Sequence, residues 1–280
     1  MRSPNLQPET SAKDAKTKVA AKPAAAVEIA GVTDVGRLRK RNEDAIEWDA
    51  RLGVAMVADG MGGSQGGDVA AATALRSIKD DLRRALADGE RHGERALSRD
   101  VRASLVVELV RRANQGVRKI AARDDQLNGM GTTLVLALLG PDYLTAAHVG
   151  DSRLYRLRGP RLERLTEDHS MVQEMVGRGQ MNARQAATSR HRNVITRALG
   201  IAQDVTVDVA HHAIAPGDIF MLCTDGLTNM VADEEIGAAL RAHAHSLETA
   251  ARNAVNLANA RGGRDNVSVV LMRILRGRDG

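Results

Sequence analysis

Four short acidic segments, spread over most of the chain, constrain the fold more than any other feature: Asn42-Glu43-Asp44, Asp59-Gly60-Met61-Gly62-Gly63, Thr224-Asp225-Gly226 and Arg264-Asp265-Asn266. Three of them abut apolar runs, with residues 52–58 before Asp59, 219–223 before Asp225 and 267–274 after Asp265. Short apolar runs bounded by turn residues read as buried strands. A carboxylate at the end of such a strand emerges at the sheet rim, where residues remote in sequence can meet. Converged carboxylates repel one another and are costly to desolvate, so a fold that gathers them calls for a cation. An all-oxygen set without Cys or His suits hard Mg²⁺ or Mn²⁺ better than Zn²⁺. The pattern points to a carboxylate-bound metal centre, binuclear and hydrolytic.

The periodicity around these segments predicts an α+β fold. Residues 1–27 are rich in Ala, Lys, Pro, Ser and Thr and hold almost no large apolar residues, so they read as a disordered tail. From Val27 the pattern runs strand, strand, helix, helix, then strands. Residues 66–86 have helical spacing, with Val69, Thr73, Leu75, Ile78 and Leu82 on one face. A polar, Gly-containing loop is expected over 87–99 and a second helix over 100–122. Strands at 132–139, 143–149 and 153–158, divided by Gly140-Pro141-Asp142 and Gly150-Asp151-Ser152, read as an antiparallel meander. Residues 169–200 read as a polar helical insertion. Strands follow at 205–209 and 219–223, helices at 233–241 and 246–260, and a last strand at 267–275. Clustered strands and paired helices argue against alternating βαβ units.

Composition excludes several functions. Aromatic residues are only 1% of the chain, so Leu, Val, Ala and Met must fill the core. No apolar stretch is long enough to span a bilayer, and the tail lacks the apolar region of a signal peptide. With one Cys no intrachain disulfide can form, which fits a reducing, cytoplasmic compartment. The net charge of +5 and pI near 9.7 suggest nucleic acid as a partner. That reading is set aside, because the charge reads as spread along the chain and there are too few aromatics for base stacking.

The acidic segments also belong to a longer series. Residues 31–36 run into Arg39-Lys40-Arg41-Asn42-Glu43-Asp44. Then come VADGMGG (57–63), GMGTTLV (129–135), HVGDSRLYRLR (148–158), LTEDHSMV (165–172), RNVITRALG (192–200), CTDGL (223–227) and RDNVSVV (264–270). In order and spacing this series resembles the metal-dependent protein phosphatases of type 2C, in their compact bacterial form, over roughly residues 28–275. The resemblance implies a four-layer αββα sandwich: two antiparallel sheets flanked by helix pairs. It implies a catalytic domain over 28–276 with a helical flap at about 166–200. The activity implied is hydrolysis of phosphoserine and phosphothreonine in proteins by water activated between two Mn²⁺ or Mg²⁺ ions, with a third, weaker ion. The partners implied are phosphorylated proteins and a cognate Ser/Thr kinase, for a monomeric enzyme.

The resemblance also suggests residue roles. Asp59 would bridge two metals and the Gly60 carbonyl would bind one of them. Asp225 and Asp265 would be direct ligands, with Glu43 and Asp44 holding the second metal mostly through water. Asp151 would share the third ion with Asp225, and Arg39 would clamp the phosphate, a task suited to the guanidinium fork. Each has a plainer reading: turn residues for Asp59, Asp151 and Asp265, a helix N-cap for Asp225, solvated charges for Glu43 and Asp44. Asp168 reads as the N-cap of the flap helix.

One departure stands out. Bacterial relatives usually carry His after DGMGG, and animal enzymes place a His at the position of Met61, as candidate general acid. Here those positions hold Ser64 and Met61, neither of which is an acid near neutral pH. The change also creates Gly62-Gly63-Ser64-Gln65-Gly66, which fits the G-x-S-x-G elbow of α/β-hydrolases with Ser64 as nucleophile. Against that alternative, the strand ends too early, βα alternation is missing, and no His follows the last strand. A cysteine-phosphatase reading fails because Asn229, not Arg, lies six residues after Cys223.

Overall fold

The computed structural model describes residues 26–62, 66–91 and 98–275. Most of the expected tail, and Gly63, Ser64 and Gln65 of the elbow motif, lie outside them.

Two antiparallel sheets form the centre. One has strands β1 (Val27–Asp34), β7 (Arg153–Arg158), β8 (Arg161–Arg164), β10 (Ile219–Cys223) and β11 (Val267–Ile274), in the order β1-β11-β10-β7-β8. The other has β2 (Asp44–Asp49), β3 (Val54–Met61), β5 (Leu134–Leu139), β6 (Tyr143–Val149) and β9 (Asp208–Ala213), in the order β2-β3-β5-β6-β9, with two-residue β4 (Gly131–Thr132) against the end of β3. Helices α1 (Gly67–Arg91) and α2 (Arg99–Ala121) cover the second sheet. Helices α6 (Asp233–Ala242) and α7 (Leu247–Ala260) cover the first.

Period-two alternation divides the side chains into three apolar layers. In β3, Val54, Met56 and Ala58 face α1 and α2, whereas Ala55 and Val57 face the other sheet. In β10, Ile219, Met221 and Cys223 face α6 and α7, whereas Phe220 and Leu222 enter the layer between the sheets. That is the four-layer αββα sandwich expected from the sequence. Strands 143–149, 153–158 and 219–223 fall where the apolar runs placed them.

Several local expectations are corrected. The three central strands are not one meander: β6 pairs with β5 and β9, and β7 pairs with β10 and β8 in the other sheet. The turn between them changes sheets, aided by Gly150 at φ +105°. Helix α1 runs past residue 87 to Arg91, because propagating a formed helix costs less than starting one, so Gly89 is tolerated. Strand β9 begins at Asp208, not residue 205; Val205 is instead buried against the α1–α2 layer. The insertion is only partly helical, with α3 (Met171–Gly177) and α4 (Ala183–Thr188) joined by turns. Strand β8 was not anticipated. Among the described residues no helix is long and apolar enough to cross a membrane.

Candidate metal centre

The same alternation that builds the inter-sheet layer carries polar residues to one end of it. Asp59 has the parity of Ala55 and Val57, and Asp44 that of Ile46. Thr224 continues the parity of Phe220 and Leu222, Ser268 that of Val270, and Thr133 that of Val135. Above this polar end a cleft of about 370 Å³ opens. Glu43, Asp59, Asp151, Asp225 and Asp265 line it, with Arg39, Gly60, Met61, Thr133 and Asn266, and with Asn193 and Ile195 from the insertion. Asp44 does not line it. It lies beneath, its Oδ2 accepting hydrogen bonds from Thr224 Oγ1 at 2.9 Å and Ser268 Oγ at 2.7 Å.

Local contacts fix Asp59, Gly60 and Asp225 in place. Asp59 lies inside β3, not after it. Its N–H donates to Thr133 Oγ1 at 2.9 Å, and its carbonyl accepts from Thr133 N and Thr132 Oγ1, both at 2.9 Å. A Cβ on Gly60 would meet the Gly67 carbonyl oxygen at 2.1 Å and that of Glu43 at 2.5 Å. Only glycine lets these three segments close together, and the Gly60 N–H donates to Glu43 O at 3.1 Å. Asp225 opens a short helix, α5 (Asp225–Thr228), but the N-cap position is Thr224, so Asp225 is not the cap. Its Oδ2 accepts from Asn229 Nδ2 at 2.9 Å.

Asn266, to which sequence reasoning assigned no role, ties the centre together. Its Oδ1 accepts from the Glu43 N–H at 2.9 Å, and its Nδ2 donates to Val35 O at 2.9 Å and Arg41 O at 2.8 Å. The 35–43 loop, with Arg39 on it, is thus moored to the loop that bears Asp265. Thr133 plays a similar part for Asp59. The only sequence signal for either is a polar residue flush against a strand.

Crowding and burial act together on the charges. Burial pushes Asp44 and Asp151 up to about 7. Burial raises Asp59 well above the usual carboxylate range, with Asp44 and Asp225 adding repulsion. Asp225 is raised by burial and by Asp265, and Glu43 by burial and by Asp68. Arg39 Nη2 donates to Asp265 Oδ2 at 2.7 Å, a contact that raises the guanidinium pKa. One cation does not balance these carboxylates, and Asp44 Oδ1 is buried without a hydrogen-bond partner. Raised, mutually repelling carboxylates with spare lone pairs and all-oxygen chemistry fit hard divalent cations.

Other candidates form a strut beside the centre. Asp168 does not cap the flap helix; Ser170 does. Asp168 makes a bidentate pair with Arg153, at 2.9 Å from Nε and 2.7 Å from Nη2, and Arg153 Nη1 also donates to Tyr155 Oη. His148, His169 and Asp208 gather potential ligand atoms within 4.8 Å of one another. They are already committed to hydrogen bonds. His169 Nδ1 accepts from the Gly150 N–H at 3.1 Å, so the neutral ring carries its proton on Nε2, 3.3 Å from Asp208 Oδ2. Burial and His148 lower the His169 pKa, favouring this neutral form. Arg197 also donates to Asp208, at 2.9 Å, occupying the place a metal would need.

Comparison with known proteins gives a consistent result. The family model described as "Protein phosphatase 2C" matches residues 38–261. The chain is 35% identical to the "Serine/threonine phosphatase stp" of Listeria innocua over 253 residues, covering 88% of this chain and 97% of that protein. It is 32% identical to protein phosphatase PhpP of Streptococcus pneumoniae over 249 residues, covering 88% and 97%. Among solved structures, the Mycobacterium tuberculosis serine/threonine phosphatase PstP superposes with a TM-score of 0.79 at 30% identity, covering 89% of this chain and 99% of that one. A PstP catalytic domain in complex with two manganese ions gives 0.76, with the same identity and coverage. Nothing in these matches supports the Ser64 hydrolase alternative, and the antiparallel sheets lack the βα units it requires.

Proposed function

The chain belongs to the protein phosphatase 2C family, and from that premise we propose that the acidic cleft is the catalytic centre of this serine/threonine phosphatase. In this reading Asp59, Asp225 and Asp265 would hold metal with their carboxylates, and Gly60 with its carbonyl. Glu43 and Asp44 would hold a second ion, and Asp151 with Asp225 would hold a third, weaker one. The two main ions would be Mn²⁺ or Mg²⁺. When bound, they supply Lewis acidity and lower the pKa of water. The observation that carries the reading is the set of buried carboxylates at one end of the inter-sheet layer, several with raised pKa, with Arg39 as the one cationic side chain among the described residues lining the cleft.

The chain's own residues then do the following. Arg39 stands in the cleft mouth and offers its fork to the phosphoryl oxygens of the substrate. Asn266 fixes the loop that presents it, and Thr133 fixes Asp59. Met61 lines the cleft but cannot protonate a leaving alkoxide, so it does not act as general acid. The catalytic domain occupies residues 28–276, with the flap at about 166–200. It works as a cytoplasmic monomer on proteins phosphorylated by a cognate Ser/Thr kinase.

Hydrolysis of p-nitrophenyl phosphate and of a phosphothreonine peptide, in excess EDTA and after return of Mn²⁺ or Mg²⁺, tests the reading. Turnover should vanish with chelation and return with either metal. Undiminished turnover in EDTA would overturn it.

A further inference from the structure

Most of the flap is a stretch that carries positive charge and no negative charge. There are 40 Lys and Arg against 35 Asp and Glu. Between Glu174 and Asp204 there is no carboxylate, but there are five arginines: Arg178, Arg184, Arg190, Arg192 and Arg197. The rest of the chain holds 35 basic and 35 acidic residues. Two of the five are engaged, Arg178 with Glu174 at 3.2 Å and Arg197 with Asp208 at 2.9 Å. Arg184, Arg190 and Arg192 are exposed and have no acidic partner among the described residues.

Arg192 adjoins the cleft wall, and Arg190 lies two residues before it on the same turn. Arg192 immediately precedes Asn193, and Asn193 and Ile195 form the flap's part of the cleft wall. The segment is anchored. Arg192 N donates to Ser189 O at 3.3 Å and Val194 N to His191 O at 3.1 Å, making two successive turns. Met171 N donates to Val194 O and Thr196 N to His169 O, each at 2.8 Å, pinning the segment to the flap stem. Arg190 and Arg192 are thus presented at a defined edge.

We propose that the flap selects phosphoprotein segments carrying acidic side chains beside the phosphorylated residue, with Arg190 and Arg192 as the main specificity determinants and Arg184 contributing. The inference rests on the cleft being the phosphatase centre. The cleft floor is itself acidic, and its ions offset charge only where they are bound. An acidic flank lying across the rim meets repulsion from the floor carboxylates unless a neighbouring segment supplies cations, and the flap supplies them. A basic flank meets those same arginines as like charges, which disfavours the wrong partner. A single exposed ion pair contributes little, so two or three acting together should give a preference of about three- to thirtyfold in kcat/KM. Rim charges of this kind weaken with added salt.

The test uses the full chain loaded with Mn²⁺ and two phosphothreonine peptides that differ only in their flanks, Asp and Glu in one, Lys and Arg in the other. p-Nitrophenyl phosphate is measured alongside. The acidic peptide should have the higher kcat/KM, and the ratio should shrink as salt is added. The double substitution Arg190→Glu with Arg192→Glu should abolish or reverse the ratio at an unchanged melting temperature. The milder Arg190→Gln with Arg192→Gln should give an intermediate ratio, and it serves if the charge reversal disturbs folding. Equal rates for both peptides, or an acidic preference untouched by either pair of substitutions, would overturn the proposal while p-nitrophenyl phosphate turnover stands. Loss of p-nitrophenyl phosphate turnover in the unaltered protein would overturn the reading of the cleft along with it.

Discussion

Asp44 and Asp59 are direct cross-strand partners in the β2–β3 ladder, two carboxyl groups facing one another at the buried end of the inter-sheet layer. Like charges opposed in this way are destabilising unless protonated or neutralised. Both groups are raised by burial, Asp44 to about 7 and Asp59 well above the usual range.

The metal-free protein should therefore lose stability as pH rises from the ordinary carboxylate range to about 7. Across that window the folded state retains protons on Asp44 and Asp151 that the unfolded chain has released, and stability falls wherever the native state binds more protons. Metal binding requires the ionised forms and reverses the trend. The rise in melting temperature on adding Mn²⁺ should be small near about pH 5 and large near about pH 8. A Mn²⁺-induced rise independent of pH would count against carboxylate ligation.

Asp59→Asn should remove turnover and weaken metal loading together. In EDTA the same substitution should stabilise the fold near neutral pH, because it deletes a buried repelling charge. Calorimetric Mn²⁺ titration and metal-free thermal unfolding on one preparation check both halves. Near wild-type turnover would exclude Asp59 from the centre.

Arg39→Ala should mainly raise KM. Loss of one charge-assisted, bidentate contact costs about 1.5–3 kcal/mol, or roughly ten- to a hundredfold. Arg41 is held by Asp68 at 2.8 Å and the Arg37 side chain is exposed, so Arg37→Ala and Arg41→Ala should change KM by less than about threefold. The assignment fails if either neighbour shows the large effect and Arg39→Ala does not.

His169 should act as a positioning residue through the Gly150–Asp151 turn. Its Nδ1 accepts from the Gly150 N–H, and its own N–H donates to Gly150 O at 2.9 Å. In His169→Asn the side-chain oxygen stands near the place of Nδ1 and should keep turnover within about threefold. His169→Ala leaves the Gly150 N–H unpaired and should lower turnover about tenfold at saturating metal, without change in KM for p-nitrophenyl phosphate. Equal loss in both variants, or loss confined to thermal stability, would reduce His169 to a packing role.

What could be read from the sequence was set by local chemistry. Strands 143–149, 153–158 and 219–223 were legible because apolar runs end at glycine and acidic turns. The partner of β7 was not, because turn residues say where a chain reverses and nothing about the sheet it joins. Strand β9 was misplaced since its Asp-Val-Ala-His-His-Ala sequence lies on a sheet edge and shows little apolar alternation, while Val205 next to it is buried for another reason. The convergence of Asp59, Asp225 and Asp265 in one cleft was foreshadowed by their place at strand ends. Asn266 and Thr133 escaped notice because their work consists of hydrogen bonds to segments far along the chain. Asp168 has the residue type of a cap, but Arg153 on β7 holds it, a pairing between segments that local sequence does not reveal.

The pairing of β1 with β11 has a temporal consequence. Chains are made from the N-terminus, and the strand carrying Thr33 and Asp34 finds its partner only when residues 267–274 exist. Asp265 and Asn266, which moor the Arg39 loop, are made at almost the same late moment. A nascent chain on the ribosome can form the α1–α2 side of the molecule but has no complete centre to offer. A chain cut short before residue 265 lacks Asp265, Asn266 and the partner of β1, and should show no turnover.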